Sequence, residues 1–551
     1  MQQKLTINNP ILPGFNADPC AIRVKDDYYL ITSTFNWFPG IPLYHSKDLK
    51  NWKLVDHILK DPSQIDLKGN SDSCGVWAPQ ISYNEKTKLF YVVFTNVRNL
   101  HDTFFDLNNY LVYSKDIRGP WSKPIYLNSS GFDPSFYHED DKSWLLNLSW
   151  ETRPGHDKPG QIIIQEYDCV NYEFGGNPKV IWEGHPNYGC VEGPHLFKKN
   201  GYYYLIVAEG GTGYGHCVRV YRSKNIMGPY ENSEKYSTVL TSRKDPYPKE
   251  KKKNDGFLKP YFYNENAVFQ KTGHGCLIDT HNGETLLFHL LSRPVMPEMR
   301  CVLNRETGVQ LIIWENDWPK LAKNNCLPEK SVTIKMNETP CLDVTESKKV
   351  EFKNKVLPNN FYSLKNNLNK NWYSFDKKDS WLSIKGQNSL FSPFDASIIS
   401  RRVQHLNFEV ETLLSFDSKN HRQKAGLIVQ AGSQTFYYLH LFFDEENNTK
   451  FICLSRSLNG NYEELNKTTI FNNKDTLLKI KMKDKILSFY YNQRDELYTK
   501  LADNFDATVL SDEFTNTGSS AFDGTFIGMT CQDTDKQSKW AHFKFFNYII
   551  A

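Results

Sequence analysis

Val191-Glu192-Gly193-Pro194-His195-Leu196-Phe197, then Lys198-Lys199-Asn200-Gly201, then Tyr202-Tyr203-Tyr204-Leu205-Ile206-Val207-Ala208 read in succession as a strand, a tight polar turn and a second strand. The first strand opens with an acidic residue beside Gly-Pro. The turn ends on glycine, and the second strand is aromatic and β-branched. This composition fits a hairpin on a pleated, half-buried surface. A single such hairpin would say little, but the chain carries the unit five times.

Ala17-Asp18-Pro19 leads into Tyr28-Tyr29-Leu30-Ile31, and Trp77-Ala78-Pro79 into Leu89-Phe90-Tyr91-Val92-Val93-Phe94. Phe132-Asp133-Pro134 leads into Trp144-Leu145-Leu146-Asn147-Leu148, and His274-Gly275 into Thr285-Leu286-Leu287-Phe288-His289. Taking Asp18, Trp77, Asp133, Glu192 and His274 as equivalent, the spacings are 59, 56, 59 and 82 residues, the last lengthened by a Lys-rich insertion around Lys244–Asn254. Several copies continue into a third strand with a shared ending, such as Val112-Tyr113-Ser114-Lys115-Asp116 before Gly119-Pro120-Trp121 and Val220-Tyr221-Arg222-Ser223-Lys224 before Gly228-Pro229-Tyr230. Five strand-rich units, each able to make a four-stranded sheet, predict an all-β fold led by a five-bladed β-propeller. In a propeller the innermost strands run beside a central channel. The five equivalent positions are therefore expected to converge there, bringing together three carboxylates, one aromatic and one histidine.

Past residue 325 the pattern changes. Lys, Asn and Pro rise over Ala322–Glu346, which reads as a connector. Short strands of period two follow, among them Phe408-Glu409-Val410-Glu411-Thr412-Leu413-Leu414 and Leu477-Leu478-Lys479-Ile480-Lys481-Met482. They predict a β-sandwich of the jelly-roll kind. The expected division is a propeller over 1–325 and a sandwich over 326–551, with the loop Ser519-Ser520-Ala521-Phe522-Asp523-Gly524 able to reach over the channel. The length of 551 residues already calls for two or more domains.

Hydrophobic residues make up 39% of the chain and aromatic residues 14%, the latter suiting strands and surfaces that stack on sugar rings. The net charge of +3 is spread along the chain, and Lys249–Lys253 reads as a solvated loop, so no nucleic-acid or membrane partner is expected. No apolar run is long enough to span a membrane, and the first residues lack the apolar core of a signal peptide. Eleven scattered cysteines without a C-x-x-C pair fit reduced thiols and a cytoplasmic protein.

Hydrolysis of a glycosidic bond needs an acid to protonate the leaving oxygen and a carboxylate to deal with the anomeric carbon. The acid must keep its proton, which burial or a neighbouring negative charge can ensure. Three carboxylates around one axis can divide this work into base, acid and a third group that orients the acid.

The motifs resemble those of glycoside hydrolase family 43, and more narrowly its two-domain β-xylosidases. They are Asn9-Pro10-Ile11-Leu12-Pro13-Gly14-Phe15-Asn16-Ala17-Asp18-Pro19, Ser33-Thr34-Phe35-Asn36-Trp37, Gly75-Val76-Trp77-Ala78-Pro79, Gly131-Phe132-Asp133-Pro134, Val191-Glu192-Gly193-Pro194-His195, Gly273-His274-Gly275, Arg305-Glu306-Thr307 and Phe522-Asp523-Gly524. The resemblance covers nearly the whole chain. It implies Asp18 as general base, Glu192 as general acid and Asp133 as the residue that tunes and orients Glu192. Arg305 would bind sugar hydroxyls, Phe35 and Trp77 would form apolar walls, His274 would sit at the channel floor, and Phe522 would be lent by the sandwich. The implied activity is an inverting exo-β-xylosidase acting on xylo-oligosaccharides, with an α-L-arabinofuranosidase or a non-catalytic sugar-binding propeller as alternatives. Some family members carry a divalent ion near the channel histidine. Nothing here spells a ligand cluster, so no metal and no cofactor is expected. Members are often dimers or tetramers, so a homo-oligomer is expected.

Overall fold

The computed structural model describes residues 4–551 apart from 102–103, 154–155, 157–159, 245–257, 324, 340–347, 473, 494–496 and 516–521. The run Lys249–Lys253 and the first three residues of the loop Ser519–Gly524 therefore lie outside the described residues. The fold is all-β, a propeller followed by a sandwich. The longest α-helix among the described residues is the four-residue Asp512–Thr515.

Five four-stranded antiparallel sheets follow one another along the chain, each with its strands in sequence order. Their first strands are Cys20–Val24, Gly75–Asn84, Gly131–Glu139, Glu192–Lys199 and Gln270–Asp279. Each packs on the next, and the fifth packs on the first. The hairpin that opens the fourth sheet forms as its sequence demands. Lys199 pairs with Tyr202, and the two turn residues, Asn200 and Gly201, have φ of 50° and 73°. Two successive positive φ values give the turn twist that matches paired strands. Tyr204, Leu205, Ile206, Val207 and Ala208 are buried between sheets.

The stretch expected to be a bare connector holds a strand, Ser331–Lys335, which pairs antiparallel with Lys4–Asn8. Alternation explains it. Val332 and Ile334 are buried while Ser331, Thr333 and Lys335 face water. The chain thus closes back on its own start before it enters the sandwich.

The sandwich has a nine-stranded and a six-stranded sheet. Phe408–Ser415 and Thr476–Lys483 alternate buried and half-buried residues, as strands with one wet face should. Gln423–Ala431 and Thr525–Asp533, in the six-stranded sheet, are buried almost throughout. Their two faces have different partners. Leu427, Val429, Ile527 and Met529 fill the sandwich core. Ile428 and Phe526 instead join Phe15, Phe35, Trp37 and Phe522 in an apolar cluster shared with the propeller. Trp37 stacks on Phe526 with centroids 3.7 Å apart. This sheet-to-propeller contact sets Phe522 against the propeller.

Candidate active site

Strained backbone marks the inner end of every sheet. Asp18, Ala78, Asp133, Gly193 and His274 all have positive φ, between 38° and 59°. Three of the sheets shift register within two residues of this point, and the fifth does so on both sides of Gly273. Bulges of this kind re-aim side chains, and left-handed non-glycine residues cost about 1–3 kcal/mol each, a strain characteristic of functional sites. The shared conformation also corrects the repeat alignment. Ala78 and Gly193, not Trp77 and Glu192, are the positions equivalent to Asp18 and Asp133, as the following prolines 19, 79, 134 and 194 agree. Trp77 and Glu192 sit one residue earlier. The fourth sheet therefore needs glycine at the strained position. A Cβ on Gly193 would stand 3.0 Å from the His274 ring, at φ 59°.

Asp18, Asp133, Glu192, Arg305, Phe35, Trp77, His274 and Phe522 all line one cavity of about 180 Å³. Larger hollows lie at the domain seam and among the first strands of the five sheets, but none of these gathers three carboxylates.

Hydrogen bonds fix the acidic groups. Ser33 Oγ accepts the Ala78 N–H at 2.8 Å and donates to Asp18 Oδ2 at 2.7 Å. The Asp18 carboxylate is thus tied to the neighbouring sheet. Asp133 Oδ2 accepts the Gly193 N–H at 2.9 Å, which anchors the third sheet to the backbone just after Glu192. His274 Nδ1 stands between two of the carboxylates, 3.8 Å from Asp18 Oδ1 and 4.0 Å from Asp133 Oδ2. Burial pushes the His274 imidazole toward its neutral form, with the Asp18 charge opposing.

Glu192 keeps 20% of its side chain exposed, while Asp18 and Asp133 are buried. Burial, then the Asp18 charge, raise Glu192 from the ordinary 4.5 to about 7, with Arg305 and Lys259 opposing. Asp133 is raised well above the carboxylate range by burial, then by Glu192 and Asp18. Two such close carboxyls share protons as a pair. The Gly193 N–H favours charge on Asp133 and opposes that rise.

The walls are aromatic. Phe35 is held by reciprocal backbone bonds with Val76, at 2.9 and 3.0 Å. Trp77 Nε1 donates to the Ser73 carbonyl at 2.8 Å, and its ring lies 5.6 Å from Phe35 and 5.8 Å from Phe132. Phe522 covers Arg305, whose guanidinium carbon is 4.1 Å from the ring centroid. The Phe522 N–H donates to Ser73 Oγ, and the next residue, Asp523, accepts from Ser73 N and from Asn36 Nδ2. Sandwich and propeller therefore close the cavity together.

Arg305 Nε and Nη2 are buried with no hydrogen-bond partner, the state of donors waiting for a ligand. Sequence reasoning missed their counter-ion. Asp512, on the short sandwich helix, lies 3.8 Å from Arg305 Nε. It also missed His216, and the Phe105–Trp150 pair, which stacks at 4.7 Å on the cavity rim. None of these falls on a repeat-equivalent position, so no periodic signal marked them. Among the described residues no three His, Cys, Asp or Glu side chains are grouped to hold a metal ion.

A propeller whose channel gathers buried, proton-sharing carboxylates beside an unsatisfied guanidinium, under aromatic walls, has the features of a glycoside hydrolase. The sequence pattern of Glycosyl hydrolases family 43 matches residues 7–319, and that of the Beta xylosidase C-terminal Concanavalin A-like domain matches residues 349–549. Xylosidase/arabinosidase 43B of Humicola insolens is 36% identical over 98% of this chain and 97% of its own. The Beta-xylosidase of Bacillus subtilis (strain 168) is 36% identical over 99% of both. The crystal structure of xylan beta-1,4-xylosidase from Bacillus halodurans C-125 superposes with a TM-score of 0.91 at 37% identity, covering 98% of this chain and all of that one. The chain belongs to glycosyl hydrolase family 43.

Proposed function

We propose that this enzyme is an inverting, exo-acting β-xylosidase that releases xylose from the non-reducing ends of β-1,4-xylo-oligosaccharides. The observation that carries this reading is the convergence of Asp18, Asp133, Glu192 and Arg305 in one small cavity capped by Phe522. A cavity stopped at one end accepts a chain terminus and not a chain interior. In this reading the glycosidic oxygen approaches Glu192, whose raised affinity for its proton keeps it acidic in neutral solution. Asp18, oriented by Ser33, takes a proton from a water that attacks the anomeric carbon from the opposite face. The C–O bond breaks as the Glu192 proton passes to the leaving oxygen. Xylose and a shortened oligosaccharide leave, with Asp18 protonated and Glu192 ionised, and exchange with solvent resets both. Asp133 holds the backbone beside Glu192 and disfavours its ionisation. Arg305 donates to sugar hydroxyls, Phe35 and Trp77 flank the ring, and His274 forms the floor.

The relative named for both xylosidase and arabinosidase activity favours α-L-arabinofuranoside cleavage as a second activity. Assay on xylobiose and on the two nitrophenyl pentosides ranks them. Good arabinoside turnover with none on xylobiose would overturn the first reading, and Asp18→Ala leaving turnover intact would point to a sugar-binding role without catalysis. We further propose that the five four-stranded sheets are the five blades of the propeller, with the sandwich, of jelly-roll type, following the strand Ser331–Lys335. A homo-oligomer in the cytoplasm completes the reading. Light scattering that finds a monomer, or fractionation that finds the protein exported, would remove that last part.

A further inference from the structure

His216 lies against Glu192 and has no part in the roles set out above. It begins where the chain turns into Cys217–Ser223, the third strand of the fourth sheet, and its ring is buried. Its Nδ1 is 3.2 Å from the Lys271 carbonyl. A carbonyl only accepts, so Nδ1 carries the hydrogen and Nε2 is a bare lone pair. That Nε2 is buried, has no hydrogen-bond partner, and lies 4.0 Å from Glu192 Oε1. The ring rests flat on Gly273, where a Cβ would come within 2.3 Å of its atoms. This accounts for the glycine of the Gly273-His274-Gly275 motif, which the catalytic roles leave unexplained. Lys271 is itself pinned from the sandwich, its Nζ 2.6 Å from Glu513 Oε1. The carbonyl that sets the His216 tautomer is therefore held by both domains.

We infer that His216 is a positioning residue for the catalytic acid: its fixed, unprotonated Nε2 faces Glu192 Oε1 and holds that carboxyl in its proton-bearing form between turnovers. A lone pair beside a carboxylate oxygen repels the anion and accepts from the neutral O–H. The separation of 4.0 Å closes to bonding distance by a small rotation of the carboxyl in the free enzyme. Burial, then nearby His274, hold His216 itself down at about 3, so it stays neutral wherever the enzyme works. The other charged and titratable groups facing the pair are Asp18, Asp133, His274, Arg305 and Lys259. Asp18 acts in the same sense as His216, and Arg305 and Lys259 oppose it.

The inference rests on Glu192 being the acid, and the experiment separates the two. The pH dependence of kcat/KM is measured on xylobiose for the native enzyme, His216→Leu and His216→Gln, with thermal melting to confirm folding. Loss of one hydrogen-bond acceptor predicts an alkaline limb about half to one pH unit lower in His216→Leu. His216→Gln, which can present an oxygen at the same place, restores the limb. A folded His216→Leu with an unmoved limb overturns the inference. If His216→Leu does not fold, His216→Asn, which is polar but too short to reach Glu192, is read by the same limb and the same criterion. Glu192→Gln is assayed beside them on xylobiose and on dinitrophenyl xyloside, whose leaving group departs without a proton. Equal loss on both would overturn the acid assignment and the inference with it. A selective loss on xylobiose with an unmoved His216→Leu limb overturns the His216 role alone.

Discussion

Replacing Glu192 by glutamine should abolish acid-assisted cleavage and, at alkaline pH, make the protein more stable. The two effects share one cause. In the folded state burial and the Asp18 charge hold the Glu192 proton up to about 7, against 4.5 ordinarily. The unfolded chain therefore ionises this group first as pH rises. Its contribution is fully present below about 4.5, shrinks from there upward, and is gone above about 7, where the fold must carry an unfavourable charge. The full difference is worth up to about 3 kcal/mol, and the partial exposure of Glu192 brings the figure to the order of 2 kcal/mol. Glutamine has the same shape and no charge. At pH 5 the variant and the native enzyme should melt nearly together, and at pH 8 the variant should melt about 2 °C higher. Scanning calorimetry at both pH values reads the difference. Equal melting temperatures at pH 8, or a gap of the same size at pH 5, would refute the claim that the site keeps an acid against the interest of the fold. The pattern is the usual exchange of stability for activity at a functional site.

Asp133→Asn removes the negative neighbour that makes ionisation of Glu192 costly, so the alkaline limb of the pH–rate profile should move to lower pH. A limb that does not move would count against the tuning role. Phe522→Ala removes the ring over Arg305 and opens the capped end of the cavity. With cation–π contact and apolar wall lost together, kcat/KM on xylobiose should fall about 10- to 100-fold. Binding should suffer more than turnover, and saturation kinetics unchanged from the native enzyme would show that the sandwich lends nothing to the site.

The fold was largely legible because a propeller repeats its signals. Strand and turn recur five times, four of them behind a Pro-marked entrance, and each copy reinforces the others. The sandwich strands announced themselves by alternation, as in Phe408–Ser415. The eight expected site residues could be placed in one cavity because pseudo-symmetry brings equivalent strand ends together and the motifs supplied Arg305 and Phe522. What escaped was whatever depends on relations between blades and domains. The one-residue offset of Trp77 and Glu192 was written in their distance to the following prolines, but it stands out only once the positive φ values are set beside them. Ser331–Lys335 is too short and too polar to stand out from a linker, and its strand character comes from its pairing with Lys4–Asn8 at the other end of the propeller sequence. Asp512 reads as an ordinary surface acid until the sandwich helix is docked beside Arg305. His216 reads as one more polar residue in a glycine-rich loop until the ring is seen seated on Gly273.

The central claim is that a water activated by Asp18 attacks from the face opposite Glu192 in a single displacement. Proton NMR of xylobiose hydrolysis, recorded before the sugar anomers equilibrate, reads this directly. The first-formed xylose from the cleaved end should be the α anomer, and β-xylose appearing first would contradict the account.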